Sequence, residues 1–228
     1  MRFLTRPEVA ARFAGKTVAV VGSGPSCADN PAGLIDSHDI VVRVNNYRLI
    51  GGTGSRCDVF YSFFGTSIRK TREELIADGV TLCMCKLPDA RVMESEWHTR
   101  NRKEIGIDYR PHYERRRRMN FWFCDTYIPT IREWKETFRL LNHHQPTTGF
   151  SAILDVLSFA PKSVYLTGFD FFSSGIHNVN EPWREKNFDD PIRHRPDLER
   201  QWLLDNRDRY PIAVDRALGA ALRARVAA

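Results

Sequence analysis

The stretch Pro146–Phe172, PTTGFSAILDVLSFAPKSVYLTGFDFF, carries the fold. Thr147 and Thr148 are hydroxyl residues where a helix should start, and Gly149 allows close backbone approach there. An apolar helix then runs to about Ala160, Pro161 follows, and SVYLTG (163–168) reads as a buried strand. Working outward, TVAVV (17–21), DIVVRVN (39–45) and CDVFYSF (57–63) read as strands. TREELIADG (71–79) is a short helix with a glycine stop, followed by the strand VTLCMCK (80–86). FWFC (121–124) is a further strand, and IREWKETFRLL (131–141) places Ile131, Trp134, Phe138 and Leu141 on one helical core stripe. Strands alternating with helices predict an α/β fold, a single domain over residues 1–228 with a mainly parallel sheet. Residues 91–120 are polar and charged without a pattern, and read as an insertion or lid.

Ligands of such sheets gather at the carboxyl ends of the strands. Four segments should converge there: GSGPS (22–26), RVNNY (43–47), the Thr147–Thr148–Gly149 helix start and TGFDFF (167–172). The loop Gly22, Ser23, Gly24, Pro25, Ser26 is of a kind that holds phosphate. A dinucleotide fits it poorly. The third glycine of G-x-G-x-x-G is replaced by Cys27, and ADNPAGLIDSH (28–38), broken by Pro31 and Gly33, is poor material for a crossover helix. The second strand ends in Arg43, Val44, Asn45, with no carboxylate for a ribose.

The chain carries a formal net charge of +6, with much of the excess between Arg91 and Arg118, ending in ERRRRMNFWF (114–123). This favours an anionic partner, a solvated charged face being the plainer reading. No apolar run approaches the ~20 residues of a membrane span. MRFLTRPEVAARFAGK (1–16) lacks the continuous apolar core of a secretory signal, so a cytoplasmic chain is expected. Cys27, Cys57, Cys83, Cys85 and Cys124 show no framework spacing. Cys83 and Cys85 alternate with Leu82 and Met84 as packing residues do, and free thiols fit a reducing compartment. FDD (188–190) follows no strand, and no metal is expected there.

VVGSGPS (20–26), IDSHDIVVRVNNY (35–47) and GSRCDVF (54–60) resemble the large sialylmotif of sialyltransferases, a V-V-G-N-like loop followed by an I-D-x-H-D-x-V-x-R-x-N strand. Residues 146–172 resemble their small sialylmotif, with a P-x-T-G opening and a Y-x-x-G-F end. They equally resemble the T-S-G helix and S-G-I-D-F-Y strand of the Campylobacter-type enzymes. HRPDLE (194–199) matches the H-x4-E motif, and GIHNVN (175–180) carries His177 where the third motif has a histidine.

The resemblance implies a single Rossmann-like domain of the GT-A-like sialyltransferase variant, with a lid closing over the donor. It implies a metal-independent, inverting transferase without a cofactor. A 2-keto-3-deoxy sugar acid would pass from its CMP ester to a hydroxyl of a saccharide or glycolipid acceptor. Sialic acid is the first choice of sugar, and Kdo, used in lipopolysaccharide or capsule assembly, is the alternative. The amides of Gly22 to Ser26 and the Thr148–Gly149 helix start would hold the CMP phosphate, with a further bond from His177. Asn45 would bond the nucleotide through its side-chain amide, and Thr147, Gly168, Asp170 and Phe172 would complete the donor site.

By the same resemblance His194 is the general base, since a neutral imidazole with an ordinary pKa of ~6.5 suits proton removal near neutral pH. Glu199 is expected to support the start of the helix that Pro196 opens. The chain departs from the pattern at Ser23, where both families have Asn, and at Phe172, where the bacterial enzymes have Tyr. Gln145 replaces an Arg of some bacterial members, so an acidic acceptor is not implied. The small motif lacks the paired cysteine of Golgi enzymes, consistent with a cytoplasmic bacterial chain. RRRRMNFWF would suit peripheral contact with anionic lipid at the inner membrane. Two other classes remain, an NAD-dependent oxidoreductase and a nucleic-acid-binding module. Against nucleic acid as a partner, the arginines form one cluster and no recognised motif accompanies them.

Overall fold

The structure, a computed structural model, describes residues 2–65, 68–88, 123–172 and 194–223. The expected lid at 91–120, His177 and the FDD segment lie outside the described residues. One eight-stranded sheet organises the rest, in the order β1-β6-β5-β4-β3-β2-β7-β8. The strands are β1 (Phe3–Leu4), β2 (Thr17–Val21), β3 (Ile40–Val44), β4 (Val59–Ser62), β5 (Leu82–Cys85), β6 (Asp125–Tyr127), β7 (Ser163–Thr167) and β8 (Ile212–Val214). Every neighbouring pair is parallel.

The central strands are continuous apolar runs because both faces of a parallel sheet are covered. Val18, Val20, Val42, Val44, Tyr61 and Met84 face one core. Their chain neighbours Ala19, Val21, Val41, Phe60, Cys83 and Cys85 face the other. On the first face lies helix α4 (Thr148–Ser158), buried at every residue from Phe150 to Leu157. Helices α1 (Arg6–Phe13), α5 (Pro196–Asn206) and α6 (Arg216–Arg223) contribute Val9, Phe13, Leu203, Leu218 and Leu222 to the same core. The other face is closed largely by the segments around Ile35, Tyr47 and Ile68, with Leu75 from the short helix α2 (Arg72–Ala77). The crossover from β2 to β3 holds a 3₁₀ turn at Pro25–Asp29 and no α-helix, as the broken sequence predicts.

Helix α3 (Ile131–Arg139) buries Trp134 and Phe138 as the stripe predicts, and Leu141 is buried just past its end. FWFC is corrected: the strand begins at Asp125, while Phe121 and Trp122 lie outside the described residues. Four strands and α-helices without an expectation also appear, α6 among them. β1 and β8 are two and three residues long, too short to show a period. Helix α1 had a signal, Thr5 followed three residues on by Glu8, whose carboxylate accepts from the Thr5 amide and hydroxyl.

One buried polar group ties these layers. Asp155 of α4 accepts from Tyr61 of β4 at 2.8 Å and from Arg6 of α1 at 3.1 Å, and Arg6 also donates to Tyr127 of β6. Burial outweighs the guanidinium, so the Asp155 carboxyl sits above the ordinary carboxylate range. All five cysteines are free, and Cys57, Cys83 and Cys85 are buried packing residues.

Candidate functional site

The loop after β2 presses against the turn after β7. The Gly22 amide donates to Thr167 O at 2.8 Å and the Gly24 amide to Gly168 O at 2.9 Å. A Cβ on Gly22 would stand 2.3 Å from Gly168 O, and one on Gly24 2.8 Å from it. These glycines let two backbones meet. The expectation that the loop amides hold phosphate is therefore corrected at Gly22 and Gly24, whose N–H groups are already taken.

Ser26 is buried, and its hydroxyl donates to Asp215 Oδ2 at 2.9 Å, which also accepts from Thr167 Oγ1 and the Gly168 amide. Pro25 turns into a separate small cavity beside Arg43 and Arg48. Gly22, Ser23 and Gly24 do line the main cleft, a space of about 190 Å³.

That cleft opens at the carboxyl ends of β2, β3 and β7, where a parallel sheet is expected to bind. Asn45, Gly168, Asp170, Phe172, Thr147, Thr148, Gly149 and His194 all line it, so most of the expected site residues do converge. Asn45 has a left-handed backbone, with φ at 50°, and its Oδ1 accepts from Ser62 Oγ at 3.1 Å. This leaves its Nδ2 amide as the donor for a ligand. Gly168 takes φ of 74°, and after Phe169 and Asp170 the backbone turns left-handed again at Phe171 and Phe172, with φ of 50° and 64°. The Phe172 amide donates to Asp170 Oδ1 at 2.9 Å, which pins that turn.

The start of α4 falls at the hydroxyl pair, as the sequence predicts. Thr147 is the N-cap, accepting from the Phe150 amide at 3.2 Å. Its own amide and hydroxyl donate to the two oxygens of Glu199, at 2.5 and 2.9 Å. Thr147 is thus engaged with protein. Glu199, expected to support its own helix, supports this other one instead. Among the described residues nothing accepts from the amides of Thr148 and Gly149, the next two donors of the helix. A Cβ on Gly149 would fall 2.7 Å from the Phe169 ring, so the glycine makes room for that ring.

His194 is 7% exposed, and its Nδ1 lies 2.8 Å from Gln145 O. A carbonyl can only accept, so Nδ1 carries a proton, and in the neutral ring Nε2 then holds the lone pair. Two side chains that sequence reasoning did not place in the site complete the anchor. Lys86, at the end of β5, is buried and donates from Nζ to Pro146 O at 2.6 Å. Burial lowers its ammonium to about 7, against the raising pull of Glu199. Burial likewise pushes the Glu199 carboxyl up to about 7, opposed by its bonds from Thr147. Arg69, exposed, brings a cation to the cleft, and its backbone amide donates to Asn46 Oδ1 at 2.6 Å. The sequence signal for Lys86 was a lysine ending an apolar strand; Arg69 had none beyond its charge.

No family model matches the chain, and no curated protein matches it in sequence. Solved structures do. The fold is that of the sialyltransferases. The chain is similar to the sialyltransferase CstII from Campylobacter jejuni, solved with the substrate analogue CMP-3FNeuAc. There the TM-score is 0.52 at 17% identity, covering 93% of this chain and 90% of that one. Against the monofunctional α-2,3-sialyltransferase Cst-I of the same organism the TM-score is 0.56 at 12% identity, covering 93% and 83%. Against a mammalian sialyltransferase solved with Gal-β-1-3GalNAc-ortho-nitrophenol it is 0.55 at 18% identity, covering 91% and 71%. The sialyltransferase fold therefore spans bacterial and mammalian structures to which this chain is about equally similar. Among the described residues no three His, Cys, Asp or Glu side chains gather as a metal site requires, and no helix is long and apolar enough to cross a membrane.

Proposed function

We propose that this chain is a metal-independent, inverting glycosyltransferase that moves a 2-keto-3-deoxy sugar acid, sialic acid first, from its CMP ester to a glycan hydroxyl. One observation carries the reading: a helix start with two available amides and a histidine of defined tautomer line the same cleft. The Thr148 and Gly149 amides favour an anion through hydrogen bonds and the helix dipole. They would hold the phosphate of CMP, with Arg69 adding charge and His177, assigned by resemblance alone, a further bond. Asn45 Nδ2 would meet the nucleotide.

In the transfer, the acceptor hydroxyl oxygen attacks the anomeric carbon from the face opposite CMP. The carbon–oxygen bond to the phosphate breaks, CMP departs as a dianion, and the hydroxyl proton passes to His194 Nε2. CMP-Kdo is the second donor. It is favoured by Ser23 and Phe172, two cleft-lining residues that lack the Asn and Tyr of the sialyl patterns. The reading includes a cytoplasmic protein, peripheral at the inner membrane where the acceptor is a glycolipid.

A thermal-shift panel with CMP, CDP, UMP, NAD and a short DNA, each with and without EDTA, tests it. A ligand at 100 times its Kd stabilises by ~2.7 kcal/mol, roughly 5–10 °C for a domain of this size. A shift with CMP that is indifferent to EDTA supports the reading, and release of CMP from the sialyl or the Kdo donor then identifies the sugar. A shift with NAD or DNA and none with CMP overturns it.

A further inference from the structure

The turn Gln145–Pro146–Thr147 is gripped at three successive residues. His194 Nδ1 donates to Gln145 O, Lys86 Nζ to Pro146 O, and the Thr147 amide donates to Glu199. Pro146 O and Thr147 N belong to one peptide unit. Lys86 Nζ holds its oxygen end at 2.6 Å and the Glu199 carboxyl group its N–H end at 2.5 Å, along the direction of its dipole. The neighbouring peptide oxygen fixes the imidazole, and the residue after it begins the helix whose amides face the cleft.

Stability alone does not account for this lysine. Removing an ammonium from water is expensive, and an apolar side chain of similar length would fill the space with less penalty. What Lys86 supplies that an apolar residue cannot is the hydrogen bond to Pro146 O. We propose that Lys86, acting with Glu199, is a positioning residue that fixes this peptide plane and so sets the imidazole of His194 and the amides of Thr148 and Gly149 in register. The proposal rests on the transferase reading, for which those are the base and the phosphate donors.

The test starts with the wild-type chain. If it neither binds CMP nor releases it from a CMP-sugar, the transferase reading fails, whatever Lys86 does. With activity in hand, Lys86→Met is expected to lower kcat at least tenfold and to weaken CMP binding about threefold, both measured well below its melting temperature. The double variant Lys86→Met with Glu199→Gln removes both charges while the Gln carbonyl still accepts from Thr147. It should regain most of the lost melting temperature and none of the lost kcat. A Lys86→Met enzyme with kcat within twofold of wild type overturns the proposal. So does a double variant whose kcat recovers together with its melting temperature, since a merely structural lysine behaves that way.

Discussion

His194 is the residue on which the proposed chemistry turns. Its ring is anchored through Nδ1, so His194→Ala should leave the CMP thermal shift in place while lowering transfer by about 10²–10⁴, the usual worth of a general base. Arg69 predicts the opposite split. As an exposed cation on the cleft it should matter for binding, and Arg69→Ala should weaken CMP most at low salt, where exposed charges are least screened. Gly22→Ala would force a methyl against the Gly168 carbonyl. Its expected cost is about 1–3 kcal/mol by urea unfolding, as for other overpacked sites. That contact also explains what the sequence concealed. A Gly-x-Gly loop records that something comes close to the backbone, and the something here is another loop of the same chain rather than a phosphate. The convergence of Asn45, Gly149 and Gly168 was legible because ligands of a parallel sheet gather at its strand ends, whereas His194 was reached through the resemblance alone. Lys86 was not legible, because a lysine that ends an apolar strand is a weak signal, shared with lysines that leave the sheet for solvent.

The element that organises the site is the first turn of α4 with its anchors on β5 and α5. Two of those anchors titrate against each other across the pH scale. Glu199 holds its proton in the native state up to about 7, so its contribution is greatest below the ordinary carboxyl range and declines as pH rises towards 7. Lys86 releases its proton near 7 in the native state, so its contribution is lost as pH falls from above the ordinary lysine range towards 7. Each limb has a slope of at most about 1.4 kcal/mol per pH unit. Their sum has a minimum near neutrality, and Glu199→Gln should flatten the acidic limb of a stability-versus-pH curve relative to wild type. The long elements were readable in advance, since apolar runs such as TVAVV and the α3 stripe declare their period over several residues. The edge strands were not, because two or three residues hold no period at all.

Across the molecule, the layers are joined by a few buried polar groups set in an otherwise apolar interior. Asp155 links α1, α4 and β4 through Arg6 and Tyr61, and Asp155→Ala would leave the buried Tyr61 hydroxyl without its acceptor while Arg6 keeps Tyr127 and Ser158, at a cost of about 1–3 kcal/mol. Asp155→Asn should cost less, because burial already draws the carboxyl towards its neutral form. Either value can be read from the midpoint of denaturant unfolding.

The order of strands has a consequence for how the chain is made. β2 leaves the ribosome early and pairs with β3 on one side, but its other neighbour is β7. Until Ser163–Thr167 has emerged, β2 presents a full row of unpaired amides and carbonyls beside a half-built cleft, a template on which a second chain can add. Synthesis that stalls before this point leaves an aggregation seed, and a chaperone that shields extended apolar strands is the natural companion of translation here.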